Sequence, residues 1–79
     1  MGIRIYLNGR EHVVSPGLSV AGLLEEKRMR PEVVVVELNG RILAKEEYGT
    51  TFLREGDRVE LIYHMGGGAP PAPADEQAR

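Results

Sequence analysis

The sequence predicts a small α+β domain in which a mixed sheet of about five strands packs on one helix. Three observations predict it. Short segments of alternating apolar and polar residues recur along the chain. Asn-Gly pairs at 8–9 and 39–40 interrupt such segments, and a two-residue hairpin turn favours this pair because it needs positive φ at both centres. A helix start signal lies between the two hairpins, at Ser19.

The elements follow in order. Ile3, Ile5 and Leu7 alternate with Arg4 and Tyr6, the pattern of a half-buried strand. After Asn8-Gly9 the chain returns through Arg10 to Val14, and Pro16-Gly17 ends the hairpin. Ser19 caps a helix whose inner face carries Val20, Leu23, Leu24 and the stem of Lys27, with Glu25 and Glu26 on the wet side. Leu18 and Leu23 stand at the positions of a hydrophobic staple. Gly22 weakens the helix by roughly 1 kcal/mol relative to alanine, so close packing against the sheet is expected there. Pro31 marks the far boundary. The β-branched run Val33 to Leu38 reads as a strand buried on both faces or nearly so. Asn39-Gly40 returns it through Arg41, Ile42 and Leu43. Lys45 to Thr51 is polar, with an irregular turn at Tyr48-Gly49, and Phe52 and Leu53 are expected to anchor this connection. Glu55-Gly56-Asp57 turns into a last strand, in which Val59, Leu61 and Tyr63 alternate with Arg58, Glu60 and Ile62.

Composition narrows the function. The chain has 79 residues, which bounds it to one domain. Its net charge of −2 gives no support for nucleic-acid binding. Cysteine is absent, which removes disulfides, thiolate nucleophiles and thiolate metal sites. No apolar stretch is long enough to cross a membrane and no basic-then-apolar leader opens the chain, so a cytoplasmic protein is expected. His12 and His64 are the side chains that titrate near neutrality. Neither adjoins a nucleophile or a set of residues with metal-ligand spacing, and both read as ordinary strand or turn residues. Glu25-Glu26 and Glu46-Glu47 are adjacent pairs. Adjacent carboxylates do not converge on one point as acid–base catalysis requires, so they read as solvated surface.

The strongest functional signal is Gly66-Gly67-Gly68, directly after the last strand. Three glycines have no side chains to pack and are costly to order. They make a thin extended peptide that fits a narrow channel. Composition alone leaves two readings, a flexible linker or the reactive end of a carrier. Residues 69–79, with three prolines and no large apolar side chain, are expected to be disordered. The organisation expected is thus a folded domain over 1–65, a glycine motif over 66–68 and a tail over 69–79.

Two hairpins flanking one helix suggest a β-grasp (ubiquitin-like) sheet wrapped on that helix. The chain also resembles one branch of that fold, the ThiS family of bacterial sulfur-carrier proteins of thiamine biosynthesis. The resemblance lies in Ile5-Tyr6-Leu7-Asn8-Gly9-Arg10-Glu11, the central hairpin Val35 to Leu43, Glu47-Tyr48, Leu53 to Glu60 and Gly66-Gly67-Gly68. It implies a substrate protein and no catalytic residue of its own. A partner related to ubiquitin-activating enzymes would use ATP and magnesium to adenylate the terminal glycine. A sulfurtransferase or cysteine desulfurase would convert it to a thiocarboxylate, and a sulfur-accepting synthase of thiamine or sulfur-amino-acid biosynthesis would take the sulfur. No bound cofactor or metal is implied.

Family members usually end at the diglycine, whereas here Gly68 is joined to Ala69. Removal of residues 69–79 by a peptidase is therefore expected to expose Gly68, or Gly67 if the cut falls one residue earlier. Gly68 and Gly67 are the expected site of adenylation and Gly66 part of the flexible approach. Tyr63, Met65, Phe52 and Leu61 are the candidates for a partner-docking patch, with Tyr63 and Met65 foremost because they adjoin the glycines. Arg54 and Arg58 could add charge steering. The same activated glycine would serve a ubiquitin-like protein modifier, and an uncleaved chain would be a plain binding module.

Overall fold

The computed structural model describes residues 1–63. The expectations for His64, Met65, Gly66, Gly67, Gly68 and the tail over 69–79 fall outside the described residues. Strands β1 (Ile3–Leu7) and β2 (Arg10–Val14) pair antiparallel around Asn8 and Gly9, whose φ values of 51° and 84° are those of a type I′ turn. Helix α1 (Val20–Glu26) follows, then β3 (Val34–Leu38) and the short β4 (Arg41–Ile42). Asn39 and Gly40 turn this second hairpin with φ values of 52° and 87°. The last strand, β5 (Arg58–Tyr63), lies at the centre of a five-stranded sheet ordered β2-β1-β5-β3-β4. It runs parallel to β1 and antiparallel to β3. This is the β-grasp arrangement expected from the element order.

The helix lies over one face of the sheet. Val20, Leu23 and Leu24 are buried with Ile5, Val34, Val36 and Val59. With a single helix, the opposite face stays open, and that corrects the reading of β3. Its residues alternate: Val34 and Val36 are buried, Val35 and Glu37 half-buried. The strand is therefore covered on one face and partly shielded on the other by its neighbours alone.

Ser19 caps the helix as expected, with the Gly22 amide donating to its Oγ at 3.0 Å. The reason for Gly22 differs from the expectation. A Cβ there would meet Leu18 Cδ1 at 2.8 Å and Ser19 Oγ at 3.4 Å, not the sheet. The staple residue folding back over the first turn is what favours glycine. The helix also ends earlier than Pro31. Arg28 adopts φ 58°, its amide donates to the Glu25 carbonyl at 3.0 Å, and the Met29 amide donates to the Leu24 carbonyl at 2.9 Å. These two bonds form a Schellman motif, closed by an arginine in a conformation that favours glycine.

The connection from β4 to β5 holds a further correction. Tyr48 is buried, and its hydroxyl donates to the Val34 carbonyl at 3.0 Å. Burial pushes its phenol pKa upward. The Ala21 amide donates to the Tyr48 carbonyl at 2.8 Å, so this residue joins the helix, the connection and β3. Of the two expected anchors, Leu53 is buried and Phe52 is exposed. Glu47 is more than solvated surface. Its carboxylate accepts from Arg41 at 3.1 Å and from the Ala44 amide at 3.3 Å. The Arg41 hydrogen bond, then the Ala44 one, hold its pKa below the usual carboxylate range.

The left-handed arginine generates a stability prediction. Arg28→Gly removes the Cβ penalty at φ 58°. It raises the free energy of unfolding by about 0.5–1 kcal/mol, the balance of that relief against the greater chain entropy of glycine. Urea titration with an unchanged slope and a higher midpoint is the expected record.

Candidate docking face and tail exit

In sequence His64 and Met65 separate the glycine motif from β5, which is the described element nearest to it. The first half of this strand is held on both sides. The Tyr6 amide donates to the Asp57 carbonyl and the Asn8 amide to the Val59 carbonyl, both at 2.8 Å. On the other side the Asn39 amide donates to the Arg58 carbonyl at 2.8 Å. The two turn asparagines extend these ladders with their side chains. Asn8 Oδ1 accepts from the Leu61 amide at 2.8 Å, and Asn39 Oδ1 accepts from the Arg58 amide at 2.9 Å. Asn39 Nδ2 also donates to Asp57 at 3.0 Å, and Asp57 accepts from the Arg54 amide at 2.8 Å. Both hairpin turns are thereby tied to the central strand.

The second half of β5 is held differently. The parallel register with β1 covers Tyr6 against Arg58 and Leu7 against Val59, and then β1 turns away at Asn8. The Asn8 side chain supplies the rung at Leu61. Beyond it, Ile62 and Tyr63 pair with Val35 and Val34 of β3. The strand thus projects past the β1–β2 turn, guided on one side only, at the point where it leads into the glycine motif.

This geometry sorts the docking candidates. Leu61 is 8% exposed and belongs to the core; it is withdrawn from the patch because its side of β5 faces the helix. Tyr63 has the same parity and lies opposite the buried Val34, yet it is 52% exposed. Phe52 is exposed but stands elsewhere. It bridges to Ser19 and lines a shallow groove with Leu38, Asn39 and Asp57, next to the start of β5. Tyr63 lies opposite Val34, at the other end. A strand of this length separates the two by roughly 17 Å, so the structure does not bring Phe52 and Tyr63 together.

The open face of the sheet carries residues that the docking candidates omitted. Ile62 and Ile42 are 51% and 65% exposed. Register places Ile62 beside Val35, and Ile42 beside Glu37, which in turn faces Glu60. Tyr6 and Arg58 lie next in the same face, around a shallow depression shared with Gly9 and Glu60. The alternation of β5 already put Ile62 on the side of Arg58 and Glu60. An isoleucine following two charged residues on a wet face was the available signal. His12 is half-buried, and Lys27 Nζ donates to its Nε2 at 3.3 Å. Among the described residues no three His, Asp or Glu side chains are grouped to hold a metal ion, and no helix is long and apolar enough to cross a membrane.

A model of the ThiS family matches residues 2–68. The chain belongs to the ThiS family. A solved structure of a thiamine biosynthesis protein, ThiS, from Geobacter metallireducens is 38% identical, covers 84% of this chain and 100% of its own, and superimposes with a TM-score of 0.72. A thiazole synthase from Magnetococcus marinus is 38% identical over 73 residues, which is 92% of this chain and 22% of that protein. The sulfur carrier protein ThiS of Bacillus subtilis is 32% identical over 50 residues, 63% of this chain and 76% of its own. The chain spans about a fifth of the length of the thiazole synthases that it matches. The family match ends at Gly68, whereas the likeness to the thiazole synthase leaves at most 6 residues of this chain outside it and so continues past that glycine.

The side-chain rung at Asn8 is testable by itself. Asn8→Gly keeps a residue suited to φ 51° but removes the acceptor of the Leu61 amide. The expected loss is about 1–2 kcal/mol of stability. Hydrogen exchange at Leu61 accelerates, while the Arg58 amide, held by Asn39, keeps its protection.

Proposed function

We propose that this chain is a sulfur carrier, a substrate protein with no catalytic residues of its own, in which Gly68 carries the reactive carboxylate. The observation that carries the reading is the family match over residues 2–68, which ends at that glycine. Residues 69–79 are removed first, because a carboxyl group in a peptide bond to Ala69 has no oxygen free to attack. The partner chemistry then has two steps at the Gly68 carboxyl group and a release. An oxygen of the Gly68 carboxylate attacks the α-phosphorus of magnesium-bound ATP on an adenylating enzyme, and pyrophosphate leaves. The outer sulfur of a persulfide on a sulfurtransferase or cysteine desulfurase attacks the acyl carbon and AMP leaves, giving an acyl disulfide. A thiol then attacks the partner's sulfur and forms a disulfide with it, and the terminus is released as a thiocarboxylate.

A carboxylate is a poor acyl donor, and the adenylate supplies the leaving group. Glycine suits both steps because no side chain crowds the carbonyl. The sulfur acceptor is a synthase of the thiazole-synthase type, a reading supported by relatives of that name. The described fold fits this role. β5 is held through Leu61 and then extends past the β1–β2 turn, which supports its reading as a firm base for the segment that follows. Tyr63 and Met65 adjoin the glycines and serve the adenylating enzyme as anchors.

Intact mass of the protein recovered from its host tests the chemistry. The expected species ends at Gly68 and shows a second form in which one oxygen is replaced by sulfur. Recovery of nothing but chains ending at Arg79, under conditions that demand sulfur transfer, overturns the reading. Gly68 joined to target lysines would replace the carrier with a protein modifier. The docking role is tested by Tyr63→Asp in a chain ending at Gly68. Adenylation slows about tenfold or more, the loss of an anchor side chain, and unchanged adenylation removes Tyr63 from the interface.

A further inference from the structure

On the open face of the sheet, Glu37 of β3 and Glu60 of β5 are direct cross-strand partners. Neither carboxylate has an ion-pair partner among the described residues, where the salt bridges are Arg4–Glu11 and Arg41–Glu47. Like charges directly opposite each other in a sheet are destabilising. The free protein gains nothing from this pair, and a lysine at either position would turn it into an ion pair. The pair is also framed by apolar side chains. Ile42 lies opposite Glu37, Val35 and Ile62 pair one step along the strands, and Ile42 and Ile62 are more than half exposed. A face of this make-up is complementary to a surface that offers a cation surrounded by apolar groups.

We propose that this face docks the sulfur-accepting synthase through an arginine or lysine of that partner inserted between Glu37 and Glu60, with Ile42, Val35 and Ile62 closing around it. The choice of partner rests on the acceptor named above and on relatives in which the carrier-like segment occupies about a fifth of a thiazole synthase chain. Where the two parts share a chain, a carrier-to-synthase contact is favoured by effective concentration. Charge complementarity around an apolar centre strengthens such a contact, because charged pairs shielded from water by an apolar rim are worth more than exposed ones. The same face carries Arg58 beside Glu60 on β5, so a second copy of this chain would bring its own arginine; a dimer is an outcome that the test separates.

The test is a titration of the full chain against the thiazole synthase of the same host, with thermal unfolding of each carrier variant alone. Glu37→Lys is expected to raise the melting temperature by about 1–5 °C and to weaken binding at least tenfold. Glu60→Gln is expected to weaken binding about threefold to tenfold and to flatten its salt dependence. Ile62→Asp is expected to abolish binding with the fold intact by circular dichroism. Glu46→Lys makes the same charge change away from this face, and binding stays within twofold. The proposal is overturned if Glu37→Lys binds like the wild type, if Glu46→Lys weakens binding as much, if the wild type does not bind the synthase, or if the chain dimerises through this face instead. The sulfur-carrier reading fails by a different measurement, the absence of a thiocarboxylate mass, so the two can fall separately.

Discussion

The central strand is where the forces in this small domain meet. Among the described residues β5 is the last strand in sequence and the middle one in space, so each hairpin finds its partner only when β5 arrives. Without β5, β1–β2 and β3–β4 are two separate two-stranded ribbons, which are marginal alone in water. The two turn asparagines lock the join. Each adopts positive φ to make its own turn and then gives its side-chain oxygen to a β5 amide. One residue type thereby satisfies a local requirement and a long-range one. Glycine would meet only the first, and a residue with a longer side chain would strain the turn.

The same strand leads toward the glycine motif. For the role proposed above, a firm base favours affinity, since ordering a flexible base on binding would subtract from it. Along β5 the first residues are bonded on both sides, Leu61 is held by the Asn8 side chain, and among the described residues the final pair is paired with β3 alone. This change follows from β1 being shorter than the reach of β5.

Much of this was legible in the sequence because it is written in local chemistry. Asn-Gly forces its own turn, Ser19 its own cap, and the alternation in β1 its own face. What was not legible depends on which face the helix covers. The valine run of β3 looks doubly buried by composition, yet one helix cannot cover two faces, and Val35 is left half-open. Tyr48 sits in a polar stretch and carries a polar group, so nothing local distinguishes it from a surface tyrosine. Only the arrival of the connection over β3 brings its hydroxyl to the Val34 carbonyl. For the candidate site, the strand leading to the glycines was readable, but the grouping of docking residues was not. Leu61 and Tyr63 share a parity, yet one is 8% and the other 52% exposed, a difference that alternation does not carry. Phe52 is close to Tyr63 in sequence and at the far end of the sheet in space.

The open face poses the remaining physical question, which is why a domain of this size leaves apolar side chains and opposed carboxylates on its surface. Stability alone would remove both. Substituting the exposed isoleucines Ile42 and Ile62 would lose little burial, and exchanging one glutamate for lysine would convert a repulsion into an attraction. Hairpin geometry does not demand them either, since the asparagine turns fix the register without their help. The adjoining part of the same face pairs its charges, with Arg4 and Glu11 at 2.9 Å across β1 and β2, although it too leaves Val13 exposed. What sets the region over β3, β4 and β5 apart among the described residues is its opposed, unpaired carboxylates, beside the strand that leads toward the glycines. For the carrier proposed above such a region is an advantage: it would bind when a partner supplies the missing cation, and among the described residues it has no ion pair of its own to compete.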